Sequence, residues 1–183
     1  HMHYDHCGNR DLFKGATFHV QDAEMAYATG RCMCHVALSQ TFEAEDVCAM
    51  VRRLFDGKLK FRDKVDELAP GLTLHHVGGH SKGLQVVRVW TKRGWVVLAS
   101  DVTHIYANFE QRRPFPILHN LEEMLEGYVA LEKLASSPRH IIPGHDPLVL
   151  ARYPAARPGL EGIAVRLDVE PLDFRRARVR STI

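Results

Sequence analysis

The first six residues, His1-Met2-His3-Tyr4-Asp5-His6, constrain this chain more than any other stretch, because four metal-competent side chains fall within them. On an extended backbone alternate side chains share a side. His1, His3 and Asp5 are therefore expected to face the same way, with His6 following where the chain turns. Imidazole and carboxylate donors without a thiolate favour zinc, with iron, manganese or cobalt as alternatives, and argue against a closed cysteine-type structural site. The bland readings are a solvated histidine-rich tip or an appended His1-Met2 pair; three later ligand-type residues, met below, weigh against both.

The 183 residues suit one domain, a length able to bury about 70% of the unfolded surface. With 45% hydrophobic and 25% charged residues the chain reads as globular, and a net charge of +2 is too balanced to argue for nucleic acid. Cys7, Cys32, Cys34 and Cys48 form no CxxC pair, which points to reduced thiols and a cytoplasmic location. The longest uncharged apolar stretch, Trp95 to Ala99, is far short of the roughly 20 residues a membrane span needs.

Apolar spacing predicts a loop over His1–Gly15, a strand at Thr17–Val20 and a short helix at Asp22–Thr29. A helix over Glu45–Phe55 follows, with Val47, Met50, Val51, Leu54 and Phe55 on one face. Strands are predicted at Leu72–Val77, Leu84–Trp90 and Trp95–Ala99, the last two joined by a Thr91–Gly94 turn. Asn120 caps a helix bearing Leu121, Met124, Leu125, Tyr128, Leu131 and Ala135, with Glu123 placed as a capping-box partner. Short strands are expected at His140–Ile142 and Ile163–Val169. The order of elements suggests a single α/β or α+β sandwich with histidines at strand ends.

His1 to His6 resembles the HxHxDH motif of the metallo-β-lactamase superfamily, continued by Cys7-Gly8-Asn9. Gly79-His80-Ser81, Ala99-Ser100-Asp101 and Pro143-Gly144-His145 resemble its later landmarks. Leu98-Ala99-Ser100-Asp101, Arg113-Pro114-Phe115-Pro116 and Ile142-Pro143-Gly144-His145-Asp146-Pro147 are most similar to the N-acyl homoserine lactonase branch, and the likeness runs from His1 to about Tyr153.

The resemblance implies a four-layer αββα sandwich of which this chain, as one domain over 1–183, would be the C-terminal two-thirds. It also implies two divalent ions: His1, His3 and His80 on one, Asp5, His6 and His145 on the other, and Asp101 bridging. A metal-bridging hydroxide would open a lactone ring, the chemistry of quorum quenching. The expected partner is a small-molecule lactone, with no nucleic acid and no membrane, and a homodimer is left open. The alternatives are a thiolester hydrolase of the glyoxalase II type and a metal-binding domain without catalysis.

Asp5 and His104 are the candidate catalytic residues. Where some lactonases carry a substrate-binding tyrosine, this chain has His104, which can donate a hydrogen bond or protonate a leaving alkoxide. Tyr106 is the next candidate donor, and Phe109, Phe115 and Ile117 are candidate walls for an acyl chain. The other readings are structural: His75 and His76 as one inward and one outward residue, and His19, His35, His119 and His140 without ligand partners. Cys7 is expected to be a packed residue, Asp146 a turn former or an acceptor for a ligand imidazole, and Arg175, Arg176, Arg178 and Arg180 a solvated basic cluster.

Overall fold

In the computed structural model residues 1–172 are described. The opening segment is not extended throughout. After His3 it turns into α1 (Tyr4–Cys7), where the backbone N–H groups of His6 and Cys7 both donate to the His3 carbonyl at 3.0 Å. This turn removes the expected period-two alignment, and Asp5 and His6 leave the side of the chain that carries His1 and His3.

Next come β1 (Phe18–Gln21), α2 (Asp22–Ala28), α3 (Val36–Ser39), α4 (Ala44–Phe55) and β2 (Leu59–Arg62). β1 and β2 pair in parallel, and Met2, Cys7, Val20, Met25, Met50 and Leu59 pack into one small core. Met2 is therefore a buried anchor of the histidine segment. Phe55 is exposed, because at 3.6 residues per turn it lies about 140° around α4 from Met50.

The second sheet contains β3 (Val65–Ala69), β4 (Leu72–His76), β5 (Gln85–Thr91) and β6 (Gly94–Leu98). After them come α5 (Tyr106–Glu110), α6 (Leu121–Leu134), β7 (Ile141–Ile142) and α7 (Leu148–Arg152). The strand order is β3-β4-β5-β6-β7, antiparallel except for the parallel β6–β7 pair. β6 is buried on both faces: Val97 enters the main core with Val86, Met124, Tyr128 and Leu131, while Val96 packs against Ile142 and Tyr153. In α6, Met124, Tyr128 and Leu131 form the buried stripe and Leu121 and Leu125 are exposed. The two sheets are joined through Gln21, whose Nε2 donates to Gln85 Oε1 at 2.9 Å while its Oε1 accepts from the Lys64 backbone at 3.0 Å.

The sequence pattern missed β2 and β3. Leu59 is the only buried residue of β2, and β3 is an edge strand with no buried residue, so neither shows a hydrophobic alternation. The expected strand at Ile163–Val169 is reduced to one bridge, Ala155 with Val165, in a stretch interrupted by Pro154, Pro158, Gly159 and Gly162. His75 and His76 are both half-buried rather than one in and one out, bonded through Nε2 to Thr73 Oγ1 and the Lys82 carbonyl. The arginine cluster from Arg175 lies outside the described residues.

Candidate metal centre

Three loops leave the ends of strands and meet. The first holds His80. Gly78 and Gly79 adopt φ of +78° and +87°, and a Cβ on Gly79 would lie 2.7 Å from the Met124 backbone, so this turn against α6 admits only glycine. Asn120 Oδ1 accepts from the Glu123 N–H as a helix cap. The reciprocal half of the expected capping box is absent: the Asn120 N–H donates to the Gly79 carbonyl, and Glu123 Oε2 instead accepts from the Gly79 N–H at 3.1 Å. Helix α6 thus holds both sides of the Gly79 peptide.

The second loop leaves β6 at Ser100, whose φ of +47° turns the chain sharply and delivers Asp101 into a buried position. The third carries His145. The Gly144 and His145 N–H groups donate to the Thr103 and His104 carbonyls at 3.0 and 2.9 Å. A Cβ on Gly144 would lie 2.8 Å from the Ser100 carbonyl oxygen and 3.0 Å from Asp101 Oδ1, so a glycine is what allows the two loops to touch.

Asp101 is the hub. Its Oδ1 lies 3.1 Å from His145 Nε2 and 3.3 Å from His6 Nε2, and its Oδ2 lies 3.2 Å from His80 Nε2, 3.2 Å from His104 Nε2 and 3.7 Å from His1 Nε2. Burial alone would raise its carboxyl pKa. The imidazoles of His104, His6 and His80 gathered around it outweigh that and hold it far below the usual carboxylate range. The potential ligand atoms of His1, His3 and His80 lie within 4.8 Å of one another, as do those of Asp5, His6, Asp101 and His145. All seven predicted ligand residues are thus brought together, in two groups divided by the α1 turn. His104 joins His80 and Asp101 in a third such group.

The donor set fits divalent metal. His80 Nδ1 donates to the Ile117 carbonyl at 2.7 Å, so the neutral ring carries its lone pair on Nε2. That nitrogen faces Asp101 Oδ2 at 3.2 Å, two acceptors opposed across a gap that a cation would relieve. His1 has no exposed side-chain surface, and among the described residues neither of its ring nitrogens has a hydrogen-bond partner. Burial, then the neighbouring His80, pushes the His3 pKa down to about 3, leaving it the neutral imidazole a metal requires. Nitrogen and oxygen ligands held about 2.0–2.2 Å from a tetrahedral zinc lie roughly 3.3–3.5 Å apart, a spacing that the histidine–carboxylate contacts around Asp101, 3.1 to 3.7 Å, bracket.

The remaining candidates sort by packing. The His104 ring stacks on Phe115 with centroids 3.5 Å apart and planes 12° from parallel, and Phe115 also borders His80. Phe115 therefore walls the site. Phe109 does not, because it is buried in the main core, and Tyr106 is in that core too. Ile117 contributes its carbonyl to His80 and leaves its side chain exposed. Asp146 takes the turn role: its oxygens accept from the Leu148 and Tyr106 backbone N–H groups, each at 2.9 Å. Cys7 is packed, and burial pushes its thiol up to about 11. His19, His35, His119 and His140 join no metal-competent group among the described residues.

Sequence reading missed Glu24. It is fully buried, and its Oε1 accepts from the Met2 N–H at 2.8 Å while its Oε2 accepts from the Gly83 N–H at 2.8 Å and from the Ser81 hydroxyl. A charged residue on a short amphipathic helix gives no local sign of such a role.

No protein-family model matches the chain. An N-acyl homoserine lactonase of Bacillus cereus is 28% identical over 117 residues, which cover 63% of this chain and 41% of that protein. A crystal structure of an N-acyl homoserine lactone hydrolase, with the product N-hexanoyl-L-homoserine at its catalytic metal centre, superimposes with a TM-score of 0.64 at 27% identity. That match covers 80% of this chain and 53% of the other. The fold is that of the metallo-β-lactamase superfamily. Within it, the likeness is to the lactonase-like branch. A dizinc quorum-quenching lactonase of more distant sequence, AidC, shares the fold at 17% identity with a TM-score of 0.53 over 73% of this chain and 49% of its own. The chain spans about half the length of these solved structures and 41% of the curated relative.

Proposed function

We propose that this centre hydrolyses lactones, with N-acyl homoserine lactones as the first substrate class. The carrying observation is the division of the Asp101 carboxylate, Oδ1 toward His145 and His6 and Oδ2 toward His80 and His1, in a chain similar to N-acyl homoserine lactonases. His1, His3 and His80 would hold one divalent ion and Asp5, His6 and His145 the other, with Asp101 shared; zinc suits the donors best. When bound, the pair supplies a water acidic enough to act as nucleophile at neutral pH and an electrophile for the carbonyl.

The protein's own groups set up the rest. The Ile117 carbonyl fixes the His80 tautomer, and the Phe115 ring fixes the plane of His104 at the edge of the site. His104 is about a quarter exposed, so its Nε2–H is within reach of a bound substrate once it leaves Asp101 Oδ2. As the ester C–O bond breaks, His104 gives that proton to the departing alkoxide and the ring opens to a hydroxy acid. The proton balance at neutral pH is one released per lactone, because the product carboxyl ionises.

A pH-indicator assay on protein supplied with zinc or manganese tests this reading. Homoserine lactones should be turned over, with proton release that depends on the added metal. Hydrolysis of a glutathione thiolester with no lactone turnover would reassign the centre to thiolester chemistry.

A further inference from the structure

Glu24 is a carboxylate with no exposed surface, and none of its described hydrogen bonds or ion pairs involves a cationic side chain. Burying such a group is costly unless its oxygens are satisfied, and here three donors converge on it from two separate segments. The Met2 N–H lies between His1 and His3, while the Ser81 hydroxyl and Gly83 N–H belong to the turn that follows His80. The approach is tight. A Cβ on Gly83 would lie 2.2 Å from Glu24 Cβ and 2.3 Å from its backbone nitrogen. The histidines on the two sides meet directly, His3 Nδ1 lying 3.0 Å from His80 Nε2.

We infer that Glu24 is a positioning residue for the metal centre, clamping the His1–His3 segment to the His80 turn through backbone amides and one hydroxyl. The inference rests on the reading of His1, His3 and His80 as ligands. It does not depend on which ester is the substrate. Glu24 fixes the separation of the three rings before any ion arrives, so its loss raises the cost of bringing them together rather than removing a ligand.

Glu24→Gln is the discriminating variant, because it keeps the size but replaces one acceptor oxygen with an NH2 group that must face a donor. Zinc affinity, measured by competition with a chromophoric chelator, should fall 10- to 100-fold, and zinc should leave faster, while the metal-free protein keeps its circular dichroism spectrum. Ser81→Ala, which removes one of three donors and barely changes volume, should give a smaller loss. Parental zinc affinity in folded Glu24→Gln would overturn the inference. So would an affinity loss fully matched by a lower melting temperature of the metal-free form, which would mark Glu24 as a plain core residue. If Glu24→Gln does not fold, Ser81→Ala decides, and parental affinity there would overturn the clamp. A parental protein that binds zinc but opens no lactone would end the lactonase proposal and leave Glu24 standing, whereas one that takes up no zinc would end both.

Discussion

Asp101 Oδ1 lies 3.1 Å from His145 Nε2, across a contact between two loops that only Gly144 permits. With Oδ2 turned to His80 at 3.2 Å, the same carboxylate serves both halves of the histidine cluster. Asp101→Ala should therefore be among the most damaging single changes, taking metal content from the proposed two ions per chain to one or none and activity down by at least 10²-fold. Elemental analysis of the folded variant checks this, and full metal content with parental rate would remove Asp101 from the shared position.

His104 separates a proton donor from a ligand. If it acts as donor, His104→Ala keeps both ions and loses roughly 10² to 10⁴ in rate, and His104→Tyr recovers part of it, because a phenol can still supply a hydrogen bond. Loss of one ion in the alanine variant would instead make His104 a ligand beside His80 and Asp101, with which it is grouped. Parental turnover would return it to an ordinary loop residue.

Gly79→Ala tests the turn beneath His80. Its φ of +87° and the 2.7 Å approach to Met124 leave no room for a methyl group. The substitution should cost more than about 1 kcal/mol in urea unfolding and weaken metal binding as His80 shifts. Unchanged stability together with unchanged zinc uptake would contradict the packing described for this turn.

Metal should stabilise the fold. The two clusters draw on α1, the Gly79 turn and the loops after β6 and β7, so ions bound there tie together segments far apart in sequence. Excess zinc at 100 times its dissociation constant should add about 2.7 kcal/mol, read as a higher melting temperature that a chelator reverses. A melting temperature indifferent to both zinc and chelator would mean that no such site forms.

The five histidines and two aspartates of the motifs are readable in the linear sequence because metal coordination admits few residue types, and the turns beside them need glycine for steric reasons. The helix with Met124, Tyr128 and Leu131 is legible in the same way, since burial against one face imposes a 3.6-residue spacing. β3 was not legible, because an exposed edge strand is held by its backbone pairing with β4 and needs no hydrophobic pattern. Nor could the spacing of His1, His3 and Asp5 reveal that the chain turns into α1 after His3 and splits the ligands between two groups. The local sequence alone determined which donor types are present. That Phe115 rather than Phe109 faces His104, and that Glu24 holds two distant segments together, were decided by tertiary packing, because each depends on contacts between residues that the sequence keeps far apart.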